Sequence, residues 1–124
     1  MTRAEINRER ARVLRALAWG CNRVRRQFAF VVEPMDEMTL KKNRGAALVP
    51  SRSNRGGADP HLFEIRFNPA ETVPMNRKDL RRLATHEVLH CAGWDLFEAA
   101  DDINREEEYV YTLQRALVGE VGEP

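Results

Sequence analysis

Two histidines and one glutamate in the second half of the chain have the types and the spacing of a metal site. Residues 85–90 (THEVLH) contain an H-E-x-x-H motif. Residues four apart lie one turn up the same side of an α-helix, so His86 and His90 can bind one metal ion. Glu87 is rotated by about 100° from His86 and can reach a metal-bound water. Zn²⁺ held by three protein ligands keeps one position open and lowers the pKa of its water towards about 7. These residues therefore predict zinc-assisted hydrolysis with Glu87 as the base.

The motif is short, but its context is favourable. Three fixed residues are expected by chance in roughly one per cent, or fewer, of chains this short. Two of the three histidines in the chain fall at ligand spacing. The alternative is that His86 and His90 are ordinary core or surface histidines of a helix.

A catalytic zinc site needs a third protein ligand, which the motif does not supply. The longer pattern H-E-x-x-H-x-x-G-x-x-H of the metzincins is excluded, because Leu96 stands where its last histidine would be. The remaining histidine, His61, is interpreted as a strand-edge residue. Asp95 and Cys91 are weaker candidates, since Asp95 is one residue out of that pattern and Cys91 falls on an apolar stripe. A carboxylate from a following helix is the remaining choice.

The last predicted helix, from about residue 102 to 118, offers such a carboxylate. Its apolar residues define an inward direction, and Glu106 lies close to it at 100° per residue. A carboxylate facing a core is costly unless it is paired with a cation such as arginine or bound to a metal. Glu106 is therefore predicted as the third ligand, with Asp102, one turn earlier, as the second candidate. Glu107 and Glu108 rotate away and are interpreted as solvated charges. The apolar residues that define this inward direction are Tyr109, Val110, Leu113, Ala116 and Leu117.

Caps and apolar spacing predict the helices that would hold this site. Thr2 and Glu5 match a capping box, and apolar residues recur at helical spacing as far as Phe28. The motif helix is expected from Arg77 to about Ala92, because Asn76 can cap its start. Its apolar residues lie on several sides, which indicates a central helix covered by neighbours.

Short strands are expected between these helices. Residues 28–33 (FAFVVE) are aromatic and β-branched and end at Pro34, whereas residues 61–67 (HLFEIRF) alternate between apolar and polar. Between residues 35 and 60, turn-forming residues dominate, and only 46–49 (AALV) predicts a short strand.

Composition excludes several classes of protein. The 124 residues, of which 31% are charged and 43% apolar, fit a single domain spanning 1–124. No apolar run reaches the roughly 18 to 20 residues of a membrane span, and the first residues are charged, so we expect a cytoplasmic protein without a membrane. Cys21 and Cys91 can form at most one bridge, which excludes a disulfide scaffold and a Cys₄ ribbon.

The net charge of +1 conceals an asymmetry. Residues 1–85 carry +9 and residues 86–124 carry −8. The basic N-terminal region could bind nucleic acid, although arginine-rich helices are often simply solvated on their outer face.

Two families resemble this sequence. The order of a basic helix, short strands, FEIRFNP (63–69) and DLRRLATHEVLHCAGWD (79–95) resembles the SprT-like zinc metallopeptidase domains and related small phage or bacterial gluzincin-like proteins. This resemblance implies a zincin fold in which the strand before the motif helix, His61 to Phe67, is the sheet edge that binds an extended peptide. SprT-like domains use a downstream histidine that this sequence lacks, so a gluzincin-like glutamate, Glu106, is expected instead.

Residues 86–96 (HEVLHCAGWDL) are also similar to the H-G-x-L-H-x-x-G-Y-D-H helix of the YbeY-type endoribonucleases of ribosomal RNA maturation. Glu87 replaces the glycine and Leu96 replaces the third histidine. Both differences favour the peptidase arrangement.

We therefore expect an α+β, minimal zincin-like domain with an N-terminal helix, a small sheet with an exposed edge strand, the motif helix and a C-terminal helix. The expected function is zinc-dependent hydrolysis of peptide bonds in an extended peptide or unfolded protein, with His86, His90 and Glu106 holding Zn²⁺ and Glu87 activating the water. A hydroxyl of Tyr109 or Tyr111 could steady the oxyanion, although core packing is the favoured role of Tyr109. The alternatives are a YbeY-like zinc-dependent endoribonuclease and a non-catalytic, zinc-stabilised domain that binds nucleic acid or protein.

Overall fold

The structure, a computed structural model, describes residues 1–52, 61–94 and 103–119. Within these residues, five helices and a three-stranded mixed sheet form an α+β arrangement, which confirms the predicted fold class. No described helix is long and apolar enough to cross a membrane. In chain order the elements are α1 (Arg3–Val24), β1 (Ala29–Pro34), α2 (Glu37–Lys42), β2 (Leu48–Arg52), β3 (Leu62–Phe67), α3 (Pro69–Thr72), α4 (Arg77–Ala92) and α5 (Ile103–Val118).

The helix caps agree with the sequence. The Thr2 hydroxyl accepts a hydrogen bond from the Glu5 amide at 3.1 Å, and the Glu5 carboxylate accepts one from the Thr2 amide, as a capping box requires. The Asn76 side chain accepts a hydrogen bond from the Asp79 amide at 2.8 Å and so caps α4. The short helices α2 and α3 were not predicted, because segments of 6 and 4 residues are too short to show an apolar period.

The sheet has the order β1-β3-β2, with β1 parallel and β2 antiparallel to β3. The prediction that the strand at His61–Phe67 forms the sheet edge is therefore wrong, because β3 is paired on both sides. The reason is its apolar face: Phe63, Ile65 and Phe67 are fully buried, and a central strand buries such residues best. Among the described strands, β1 and β2 are the edges.

One face of the sheet packs against α1 and α4, and this layer contains the hydrophobic core. The core cluster joins residues from both helices and from all three strands. Each fully buried large side chain contributes about 1.5 to 3 kcal/mol relative to exposure. Members include Val13, Leu17, Val32, Leu48, Ile65, Phe67, Leu80 and Val88.

The contact between α1 and α4 is unusually close at Gly20. A Cβ atom added to Gly20 would lie 3.1 Å from the Thr85 Cα atom and 3.1 Å from its Oγ1 atom. Gly20 therefore lets the backbone of α4 approach α1 at the residue directly before His86. The position of the motif helix depends on this small residue.

Candidate metal centre

The motif residues lie on the buried second half of α4. His86, Glu87 and His90 are 9%, 6% and 8% exposed. The Nε2 atoms of His86 and His90 are 3.2 Å apart, as predicted for residues one helical turn apart that can share a ligand. The helix is covered by α1, β2 and α5, in agreement with its apolar residues on several sides.

A carboxylate from α5 completes a group of three possible metal ligands. Glu107 Oε1 lies 2.8 Å from His90 Nε2, and Glu107 Oε2 lies 3.6 Å from His86 Nε2. Ligand atoms of the three residues all lie within 4.8 Å of one another. Around a tetrahedral zinc ion with bonds of about 2.0 to 2.1 Å, neighbouring ligand atoms are about 3.3 Å apart. The donor set and its spacing therefore fit a divalent metal ion.

The group of possible ligands contains Glu107 instead of Glu106, the residue predicted as the third ligand. Glu106 Oε1 lies 2.6 Å from His90 Nδ1, the ring nitrogen on the side opposite the shared Nε2 atoms. The interpretation of Glu107 as a solvated charge that points away is wrong, because its carboxylate lies beside both histidines. Glu107 takes the place that was predicted for Glu106.

Glu106 and Glu107 differ from their predicted placements because α5 is rotated about its axis. Val110 and Gln114 are each 1% exposed, whereas Tyr109 is 59% and Leu113 46% exposed. The helix is turned by roughly 80° from the direction that its apolar residues indicate, at 100° per residue. The core-packing role predicted for Tyr109 is therefore wrong. A buried polar residue, Gln114, occupies a position that the mean direction of the apolar residues would place at the surface.

Glu106 still contributes to the centre, through His90. A carboxylate only accepts hydrogen bonds, so a neutral His90 that donates its Nδ1–H to Glu106 has its Nε2 lone pair directed at the cluster. Such a carboxylate partner fixes the ring orientation and raises the basicity of a metal-binding histidine. With Nε2 unprotonated, a shared cation would offset the repulsion between its lone pair and the Glu107 carboxylate.

His86 also has a buried side-chain partner, Gln114, which was not predicted from the sequence. Gln114 hydrogen-bonds the His86 side chain, and its Nε2 atom donates to the Gly119 carbonyl. Burial, followed by the neighbouring His90, lowers the pKa of His86, which keeps its imidazole neutral and able to bind a metal. Glutamine has no periodic or motif signal, so only the helix packing reveals this contact.

Glu87 is the most strongly perturbed carboxyl group of the centre. Burial, followed by the nearby Glu107 and Glu106 carboxylates, raises its pKa to about 8. A divalent cation beside it would act in the opposite direction by favouring the ionised form. Glu87 is therefore poised to exchange a proton near neutral pH when a cation is close.

A cleft of about 780 Å³ opens onto the three candidate ligands and Glu87. One wall is β2 with the residues just before it, including Leu48, Val49 and Pro50, and Tyr111 lies on another side. The Tyr111 ring is 5.0 Å from the His86 ring, so its hydroxyl is better placed than that of Tyr109 to reach a bound molecule.

The remaining candidates lie elsewhere. Asp102, Asp95 and Leu96 lie outside the described residues. Glu108 is exposed, as expected, and His61 lies beside Phe28, with ring centres 6.0 Å apart, away from the cleft. Cys91 is buried, and burial raises the pKa of its thiol, so it is not a ready thiolate ligand.

Comparison with known proteins identifies no relative. The chain matches no protein-family model, no curated protein and no solved structure.

Proposed function

We propose that this chain is a zinc-dependent metallopeptidase of the zincin type. The observation that carries the proposal is the convergence of two imidazoles and the Glu107 carboxylate beside the buried Glu87, at a cleft bordered by a sheet edge. Ordinary surface histidines have no reason to share such an arrangement. The family resemblance of the motif helix points in the same direction.

His86, His90 and Glu107 would hold the ion, and this set of two nitrogens and one carboxylate oxygen is typical of catalytic zinc. Three protein ligands leave room for substrate in the cleft. Bound Zn²⁺ supplies Lewis acidity, which polarises a carbonyl group and makes water more acidic.

Glu87 is the proposed general base and acid. It follows His86 on α4, lines the same cleft and has a pKa of about 8, so both of its protonation states are populated at mildly alkaline pH. Its carboxylate would take a proton from the attacking water and then donate it to the amine that leaves. Tyr111 is the candidate to donate a hydrogen bond to the carbonyl oxygen of the substrate.

The substrate is proposed to be an extended peptide or unfolded protein that adds to the side of β2 away from β3, which is an edge among the described strands. Asn68 N–H donates to the Ala47 carbonyl at 2.8 Å, so these two residues form a hydrogen-bonded pair. Along an antiparallel ladder such as β2 and β3, hydrogen-bonded and non-hydrogen-bonded pairs alternate. Leu48 and Pro50 therefore turn their backbone groups away from β3. Pro50 has no N–H to offer, which is tolerated on an edge strand. The carbonyls of both residues and the Leu48 N–H remain for a substrate backbone, which gives affinity with little sequence selectivity.

The two free, buried cysteines, Cys21 and Cys91, suit the predicted cytoplasmic location, where thiols remain reduced.

The test begins with zinc binding. Purified protein is expected to bind about one equivalent of zinc, measured by elemental analysis and chelator competition. Glu106→Gln is expected to weaken zinc binding about 10- to 100-fold, which is typical of a residue that hydrogen-bonds a metal ligand. Glu107→Gln is expected to weaken it more, because it removes a ligand. Glu108→Gln is the matched control on the same helix and is expected to change nothing. Equal losses in all three variants would contradict the ligand assignment.

Activity is tested on a fluorescently labelled unfolded protein and, in parallel, on an RNA. The wild type is expected to cleave the protein, and Glu87→Gln is expected to abolish cleavage while it still binds zinc. Zinc-dependent cleavage of the RNA alone would support the endoribonuclease alternative instead. A folded, zinc-loaded protein that cleaves neither substrate would support a non-catalytic domain.

A further inference from the structure

A hollow at the opposite end of α4 from the metal centre is surrounded by cationic side chains. It has a volume of about 320 Å³ and lies between α1, the first half of α4 and the end of α5. We refer to it as the basic groove. Its lining includes Trp19, Arg23, Arg77, Lys78, Arg81 and Arg82.

Some of these cations have a carbonyl or carboxylate partner, whereas others have no carboxylate partner among the described residues. Arg23 donates to the Leu117 carbonyl, and Arg82 donates to the Val118 carbonyl and lies 4.0 Å from the Asp79 carboxylate. In contrast, no carboxylate in the described part of the chain forms an ion pair with Arg77, Lys78 or Arg81. The groove therefore carries an excess of positive charge.

The arrangement of this charge is unfavourable for folding. Arg77 and Arg81, and likewise Lys78 and Arg82, are like charges one helical turn apart, and such pairs destabilise a helix. Arg77 and Lys78 also occupy the first turn of α4, where the helix dipole disfavours cations. A face that is merely solvated would mix both signs of charge. The cost is offset if an anionic partner binds there.

The positive surface continues along α1. Arg8, Arg15 and Arg23 are exposed and lie on the same side of this helix as Trp19, within about 40° at 100° per residue. The carboxylate of Glu5 lies on this side too, just before Arg8. From Arg8 to Arg23 this row is about 22 Å long at 1.5 Å per residue. The row suits a ligand with regularly repeated negative charges.

We propose that the basic groove binds the phosphate backbone of a single-stranded nucleic acid. A hollow this small between two packed helices admits one row of phosphates rather than a duplex. The Trp19 ring, with the Arg81 guanidinium 5.2 Å from its centre, places an aromatic surface beside the cations, as is typical of single-strand binding sites. The contacts would be to phosphates, so binding is independent of sequence.

This inference goes beyond the proposed peptidase activity and does not require it. Arg81 and His90 are separated by about 14 Å along α4. Binding is therefore expected to be unchanged in Glu87→Gln and after removal of metal. A failure of the nucleic-acid proposal can therefore be distinguished from a failure of the peptidase proposal.

The experiment measures fluorescence anisotropy of labelled 20-nucleotide single strands, DNA and RNA in separate arms, with the full chain. Micromolar or tighter binding is expected at low salt, with similar affinity in both arms because the phosphates are shared. The triple variant Arg77→Gln, Lys78→Gln, Arg81→Gln is expected to bind at least about tenfold more weakly. Its slope of log affinity against log salt should be smaller by about 2, since each phosphate contact on a single strand contributes about 0.7.

The matched control removes the same charge elsewhere, through Lys41→Gln, Lys42→Gln and Arg44→Gln in and just after α2. These three residues are exposed, and the control is expected to change affinity less than about twofold. Thermal melting checks folding: the triple variant in the groove should melt no lower than the wild type, because like-charge repulsion is relieved.

Three results would overturn the proposal: no binding to single strands at low salt, an equal loss in the α2 control, or tighter binding of a duplex of the same length. Competition by a glutamate-rich peptide of equal charge, as effective as unlabelled single strand, would also overturn it in favour of an acidic protein partner.

Discussion

The substitution Glu87→Gln tests whether ionisation of the buried Glu87 destabilises the metal-free protein. Glu87 is buried, and its pKa is raised to about 8 from an ordinary value of 4.5. The folded protein therefore holds a proton on Glu87 over a range of pH in which the unfolded chain has released it. The stability this proton supports is complete below about pH 4.5 and is lost as pH rises through about 8. At about 1.4 kcal/mol for each pH unit, the loss reaches up to about 5 kcal/mol.

Glutamine has nearly the same shape as glutamic acid but does not ionise. In metal-free protein, the variant should resemble the wild type at about pH 4.5 and exceed its free energy of unfolding by up to about 5 kcal/mol at about pH 9. His86 titrates in both proteins, so the difference between them isolates Glu87. Urea denaturation of EDTA-treated samples across this pH range gives both free energies.

Zinc supplies the complementary measurement. A divalent cation favours the ionised Glu87, so saturating zinc should shrink the difference between wild type and variant at high pH. A stability difference that does not change with pH would refute the reasoning, because it would show that the carboxyl group titrates normally. A difference that zinc leaves unchanged would show that the ion binds away from Glu87.

Two other substitutions test how the centre is positioned. Gly20→Ala should destabilise the protein by about 1 to 3 kcal/mol in urea denaturation, because its methyl group would press on the Thr85 backbone and outweigh the gain of about 1 kcal/mol in helix propensity. A more stable Gly20→Ala protein would contradict the close approach of α1 and α4. Gln114→Leu should preserve the fold but weaken zinc binding about tenfold in chelator competition, because His86 loses its hydrogen-bond partner; unchanged affinity would show that packing alone orients this ring.

Local signals in the chain predicted most of the elements. The capping box at Thr2 and the Asn76 cap placed the starts of α1 and α4, and the apolar period placed the end of α4, because caps and periods depend on neighbours in sequence. In contrast, α1 ends at Val24, four residues before Phe28, the last residue of its predicted apolar stripe. The strand β3 was placed within one residue from its alternation. β2 begins two residues later than expected, since its apolar run is short and a proline interrupts it.

The order of strands was beyond such signals. Alternation shows that β3 has one apolar face, but not how many neighbours it pairs with. The edge beside the cleft is β2, a strand with only a weak pattern of its own.

The chain by itself determined the pair His86 and His90, with Glu87 between them, because the pitch of a helix brings residues four apart onto one side wherever the helix lies. Only the tertiary structure decided that Glu107 joins these histidines while Glu106 supports His90 from behind. One residue along a helix is a rotation of about 100°, and packing of α5 against α4, rather than its average apolar direction, sets that angle. The same holds for the basic groove, whose charges come from separate segments and meet only when α1 and α4 pack together.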